Sequence, residues 1–132
     1  LSMLQKESLL KKLASLPGGN RVCHGDFFPG NVLLTSNGAC VIDWIDATRG
    51  NPLADVARTS IVLKGMGENQ VPNLFLKWYV HLYRAIYLRH YFRLRPQGFQ
   101  EYLAWLPVVA GARLSENIPE LEAWLLKQAD PS

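Results

Sequence analysis

The stretch Val22-Cys23-His24-Gly25-Asp26-Phe27-Phe28-Pro29-Gly30-Asn31, closed off downstream by Val41-Ile42-Asp43-Trp44, decides how this chain reads. It gathers a histidine, two carboxylates and an amide between apolar flanks. Pro29-Gly30 excludes a regular element, so residues 21–31 read as a short strand running into an irregular loop. Val32–Thr35 and Cys40–Asp43 are β-rich runs around Ser36-Asn37-Gly38-Ala39. Asn-Gly favours a two-residue hairpin turn, because both residues accept positive φ. With Asn37-Gly38 as that turn, Val32 lies opposite Asp43 and Asn31 opposite Trp44. Cross-strand neighbours are about 5 Å apart, so the hairpin brings Asp43 back to Asn31, with Asp26 just upstream.

The remainder of the chain reads as helices around this segment. Residues 2–16 carry Leu9, Leu10, Leu13 and Leu16 at helical spacing, and Pro17-Gly18-Gly19-Asn20 ends the run. Ala47–Gly50 reads as a loop. Asn51 and Pro52 fit the N-cap and first turn of a helix over 52–64, with Asp55 also in that turn and Gly65 and Gly67 as its end. A long helix over 73–94 has Phe75, Trp78, Tyr79, Leu82 and Ile86 as one apolar, core-directed face. Its Lys77, Arg84, Arg89 and Arg93 read as a solvated face. Pro107 should kink or split a helix over 98–114, and a last helix covers 119–128.

Composition bounds the class. The chain has 132 residues, 48% of them apolar and 19% charged, with a net charge of +3. A single globular domain over 1–132 is expected, with a core of useful size. The mild charge points to no nucleic acid, and no apolar run reaches the length of a membrane span. A cytoplasmic location is the default. Cys23 and Cys40 belong to no C-x-x-C pair and read as two reduced, buried thiols.

Asn31 and Asp43 together offer an amide oxygen and a carboxylate, both hard oxygen donors. Mg²⁺ needs few of these, because it keeps waters and takes other ligands from substrate phosphates. Asp26 is then free to orient a nucleophile or accept its proton. That division of labour suits phosphoryl transfer, where catalysis is mostly positioning and charge neutralisation. A metallohydrolase using His24, Asp26 and Asp43 is the alternative chemistry; His81 and His90 lie in a distant helix, which leaves a histidine-rich metal shell without members.

His24-Gly25-Asp26-x-x-x-x-Asn31 resembles the catalytic loop of kinase-like phosphotransferases, H-R-D-x-x-x-x-N in protein kinases. Gly between His and Asp, Ile42-Asp43-Trp44 in place of D-F-G, and Gly50-Asn51-Pro52-Leu53-Ala54-Asp55-Val56-Ala57-Arg58 are similar to the aminoglycoside phosphotransferase and choline kinase branch. The ordered match covers residues 22–58. The resemblance implies an α+β, mainly α fold: the helical C-terminal lobe of a kinase-like protein, with one β-hairpin carrying the metal ligands. It implies ATP as donor, Mg²⁺ as cofactor and a small-molecule hydroxyl as acceptor. Asp26 would be the catalytic base, and Asn31 and Asp43 the Mg²⁺ ligands. His24 would brace the loop, and Asp55 would be a buried anchor bonded to loop backbone around His24. Asp46 is an outer-shell or substrate-facing candidate. Arg49 is a loop cation, solvated or in contact with phosphate. The helices after residue 73 stand where the branch builds its acceptor pocket.

Three positions depart from the pattern. Phe28 and Asn51 replace residues that are commonly polar and Asp, respectively. The third departure is the nucleotide clamp, a glycine-rich loop and a strand lysine in an N-terminal lobe, which residues 1–21 do not supply. The chain is therefore expected to be a lobe needing a partner segment, or a catalytically inactive folded binding module.

Overall fold

The computed structural model describes residues 1–130. Helix α1 (Met3–Ser15) starts with a capping box: the Ser2 hydroxyl accepts from Gln5 N–H at 3.2 Å, and the Gln5 side chain accepts from Ser2 N–H at 2.9 Å. Strand β1 (Arg21–Cys23) follows, then a 3₁₀ turn at Pro29–Asn31 and strands β2 (Val32–Thr35), β3 (Gly38–Val41) and β4 (Thr48–Gly50). Helices α2 (Pro52–Gly65), α3 (Leu74–Leu94), α4 (Phe99–Arg113) and α5 (Pro119–Gln128) complete the chain. The class is α+β, mainly α, the architecture of a helical lobe with small β elements.

α2 is the central element. Val56, Ala57, Ile61 and Leu63 are buried, and the helix packs chiefly on α4. Burial of each of the Val, Ile and Leu side chains stabilises by about 1.5–3 kcal/mol. Asn51 caps α2 by accepting from Leu53 N–H at 2.8 Å. Its amide nitrogen also donates to Pro17 C=O at 2.8 Å and to Glu101 at 2.6 Å. One side chain therefore joins the end of α1, the start of α2 and the first turn of α4. In the core, Ser60 and Tyr102 share a hydrogen bond of 2.7 Å, and Arg84 Nε donates to the Ser60 hydroxyl at 2.8 Å.

The hairpin register differs from the expected one. Val32 pairs with Val41 and Thr35 with Gly38, leaving Ser36-Asn37 as the loop. The expected turn needs positive φ at both Asn37 and Gly38. Only Gly38 takes it, at φ 111. The Thr35 hydroxyl closes the turn instead, donating to Gly38 C=O at 2.8 Å and accepting from Asn37 N–H at 3.2 Å. Asn31 consequently faces Ile42 rather than Trp44, through Ile42 N–H to Asn31 C=O at 2.9 Å. Val32 does not face Asp43, which lies one residue past the pairing.

Other expectations are corrected. Thr48–Gly50 is not a loop but a strand, antiparallel to β1 with Val22 opposite Arg49. Its three residues are too few to show alternation, and pairing with β1 alone makes it a strand. α2 ends at Gly65, as expected, but Gly67 does not mark an end: it lies inside a π-helical turn, Met66–Gln70, that continues the helical path. Gly65 has ordinary helical angles. A Cβ there would lie 3.0 Å from the Trp124 ring, and one on Gly67 would lie 3.0 Å from His81. Both glycines permit close approach of a neighbouring ring. Pro107 lies inside an unbroken α4.

The largest change concerns α3. Phe75, Trp78, Tyr79, Leu82 and Ile86 are exposed, and no residue of α3 is fully buried. The helix docks through Tyr87, Leu88, Tyr91 and Phe92, with Arg84 pointing inward rather than into solvent. Both stripes have helical spacing; contact with α2 selects the second. Cys23 is buried as expected, whereas Cys40 is exposed because its strand lies on an open hairpin.

Candidate functional site

The first residues of the loop after β1 are held through their backbone polar groups. Gly25 has φ +83, and a Cβ there would lie 2.6 Å from Asp46 C=O, so glycine is required both by conformation and by space. From the first turn of α2, the Asp55 carboxylate accepts His24 N–H at 2.7 Å and Gly25 N–H at 2.8 Å. One turn later, Arg58 Nε donates to Gly25 C=O. His24 Nδ1 accepts Asp26 N–H at 3.1 Å, which places the ring hydrogen on Nε2, 2.9 Å from Ile42 C=O. That ring thus connects the loop to the end of the β2–β3 ribbon.

Asn31 is 7% exposed. Its Nδ2 donates to Asp26 C=O at 2.8 Å and to Asp26 Oδ2 at 3.2 Å. The amide oxygen is the end left for another partner. Aromatic rings fill the space around His24, with Trp44 at 4.6 Å and Phe27 at 6.0 Å between ring centroids. Phe27 in turn meets Tyr87 of α3 at 5.9 Å. Burial pushes the Tyr87 hydroxyl well above its ordinary value, with a hydrogen bond to Thr59 opposing that rise. α3 therefore supports the loop with a neutral phenol.

Asp26 borders an open cleft of about 550 Å³ lined also by Gly25, Asp46, Thr48, Arg58 and Glu116. The structure thus brings together His24, Asp26, Asn31 and Asp55 by direct bonds, and sets Asp46 on the same cleft as Asp26. Asp43 stands apart: it is exposed, has φ 63, and its side chain makes no hydrogen bond among the described residues. Arg49 is an exposed residue of β4 and does not line that cleft. No group of three or more His, Cys, Asp or Glu side chains is gathered for a metal ion among the described residues. Both nitrogens of His24 are already engaged with backbone, which leaves it no lone pair for the metallohydrolase alternative.

Residues 4–105 match the Phosphotransferase enzyme family, APH. The chain belongs to this family. The match spans the loop, the hairpin, α2, α3 and the first half of α4, so family membership rests on the scaffold as well as on the short motif. No curated protein matches the chain, and no solved structure does. Among the described residues of this phosphotransferase family member, no helix is long and apolar enough to cross a membrane.

Two residues of the site have no role in the reading of the motif. Arg58 closes the quoted downstream pattern, and its position three after Asp55 puts both on one face of α2. That spacing is the signal that could have found it. Glu116 lies far along the chain, in a 3₁₀ turn at Leu114–Glu116, and meets Arg58 at 2.8 Å. Nothing local in the sequence points from one to the other.

Proposed function

We propose that the chain is the helical lobe of a phosphotransferase that moves the γ-phosphoryl group of ATP onto a hydroxyl of a small molecule. The observation that carries this is the Asp26–Asn31 pair: a carboxylate on an open cleft, fixed by a buried amide whose own oxygen remains free. In this reading Asp26 aligns the acceptor hydroxyl and takes its proton. Asn31 Oδ1 and the Asp43 carboxylate hold Mg²⁺. These donors fit the ion, because the Asn31 amide nitrogen is turned inward onto Asp26 and both oxygens of Asp43 are unengaged. Mg²⁺ asks for one or two such protein ligands beside water and phosphate. When bound, the ion neutralises charge on the transferring phosphoryl group.

His24 and Asp55 act as supports in this reading, and Asp46, across the cleft from Asp26, faces the acceptor or the outer shell of the ion. The nucleotide grip comes from a glycine-rich segment and a strand lysine outside residues 1–130, and ATP dependence puts the reaction in the cytoplasm.

Asp26→Asn tests the reading in the full-length gene product. ADP formation with a panel of aminoglycosides, amino-alcohols and sugars should fall at least about 10²-fold, with nucleotide affinity unchanged. Retained turnover removes Asp26 as base. Isothermal titration of Mg·ATP into the 132-residue chain should show weak or no binding; micromolar affinity would mean that this lobe grips nucleotide by itself.

A further inference from the structure

We propose that Arg58 is a positioning residue for Asp26, and that Glu116 and Arg113 hold it in place from the end of α4. The inference rests on the reading of Asp26 as the base. The Gly25–Asp26 peptide is the unit that aims the Asp26 side chain. Its N–H goes to His24 and its C=O to Arg58 Nε. The preceding N–H goes to Asp55, and the following C=O accepts from Asn31. Four bonds therefore fix this backbone. Three involve residues to which the motif already assigns a role, and the fourth, on Gly25 C=O, comes from Arg58, to which it assigns none.

Arg58 is in turn oriented. Its Nη1 meets Glu116 Oε1 at 2.8 Å, while Glu116 Oε2 accepts from Arg113 Nε at 3.0 Å and Nη2 at 2.9 Å. Arg113 is 6% exposed, so this end of the chain of contacts is set in the protein interior. A flexible side chain alone would hold a carbonyl loosely. The forked Glu116 fixes the guanidinium plane and leaves Nε directed at the loop. Burial pushes the Glu116 carboxyl up, but hydrogen bonds from Arg113 and Arg58 and their charges outweigh it and hold the group below its ordinary value, in its ionised form.

The Arg58–Glu116 pair is about a third exposed at both ends. Ion pairs of that exposure contribute little to folding. An ion pair that adds little to stability yet orients the donor to the peptide of Asp26 should show itself in turnover, because small misplacements of a reacting group cost large factors in rate. This separates a positioning role from a merely structural one.

The test uses the full-length gene product with the same acceptor panel. Arg58→Lys keeps the charge beside Glu116 but removes Nε, and Glu116→Gln removes the charge that orients it. Each is expected to lower kcat about tenfold or more, with KM for ATP within about twofold, and in Glu116→Gln the thermal midpoint falls only slightly. Hydrogen exchange, which needs no acceptor, should show faster exchange at the Asp26 amide in both variants. The double variant should be no slower than the slower single one, because both act through one bond. Wild-type kcat and wild-type exchange in a folded Arg58→Lys protein would overturn the proposal, as would fully additive losses. Asp26→Asn run beside them distinguishes the two failures. If it is inactive while the Arg58 and Glu116 variants behave as wild type, only the positioning proposal fails. If it is active, the base assignment fails.

Discussion

The two ends of the site are built differently. The loop carrying Asp26 is fixed by hydrogen bonds donated by Asn31 and Arg58 and accepted by His24 and Asp55, which tie it to the start of α2. Asp43 sits at the mouth of an open hairpin whose Leu33 and Leu34 are exposed, and no side-chain hydrogen bond among the described residues restrains it. The helical part of the chain thus determines the geometry around Asp26, whereas the second carboxylate depends on its backbone neighbours. Elements with few buried contacts open at low free-energy cost. In the proposed reaction this puts rigidity where a proton is transferred and adjustability where a phosphate-bound ion must be received.

The sharpest way to break this contrast is Gly25→Ala. A side chain at φ +83 costs about 1–3 kcal/mol in backbone strain alone, and the added Cβ would also collide with Asp46 C=O. A urea midpoint that barely moved would show the loop to be less fixed than described. Asp55→Ala comes next. It strands the N–H groups of His24 and Gly25, and a loss of about 1.5–3 kcal/mol is expected for hydrogen bonds to a charged acceptor, read by the same denaturation. Tyr102→Phe removes one partner of the buried Ser60 hydroxyl, which Arg84 still contacts, so about 1 kcal/mol is expected.

Asp43→Asn sharpens the comparison from the other side. Asn tolerates positive φ, and stability should stay within about 0.5 kcal/mol of wild type, while turnover falls if Asp43 holds the ion. A large loss of stability would mean that Asp43 is fixed after all. The smallest effect concerns pH. Ionised Glu116 favours the folded state because its pKa there lies below the ordinary 4.5. That contribution is present above 4.5 and is lost as pH falls through the lowered folded value. The midpoint difference between wild type and Glu116→Gln should therefore be seen at neutral pH and shrink in acid.

How far the sequence could be read follows from where each determinant lies. Helix starts marked by Asn51, Pro52 and Pro119 come from local chemistry, and they agree with the structure. The loop was legible too, because His24, Asp26 and Asn31 lie close together in the chain and bond to one another. The hairpin register was not, since Asn37-Gly38 is compatible with more than one turn and a hydroxyl on Thr35 chooses between them. Nor was the docking face of α3. Aromatic and aliphatic side chains surround that helix, and only the position of α2 selects Tyr87, Leu88 and Tyr91 over Phe75, Trp78 and Leu82. Arg58 and Glu116 meet across 58 positions of sequence, a distance over which no local pattern operates.

The unequal placement of the two cysteines gives the molecule a selective chemical handle. Burial, with the nearby Asp55 charge, pushes the Cys23 thiol up, against a weaker opposing backbone hydrogen bond from Gly50. Thiolate is the form that alkylates, so Cys23 is both shielded and unreactive. Cys40 is exposed on β3, three positions before Asp43. A maleimide fluorophore applied to the native protein therefore attaches at Cys40 alone, and its emission on addition of Mg·ATP tests whether the hairpin end of the site senses that ligand, while the loop that carries Asp26 remains unlabelled.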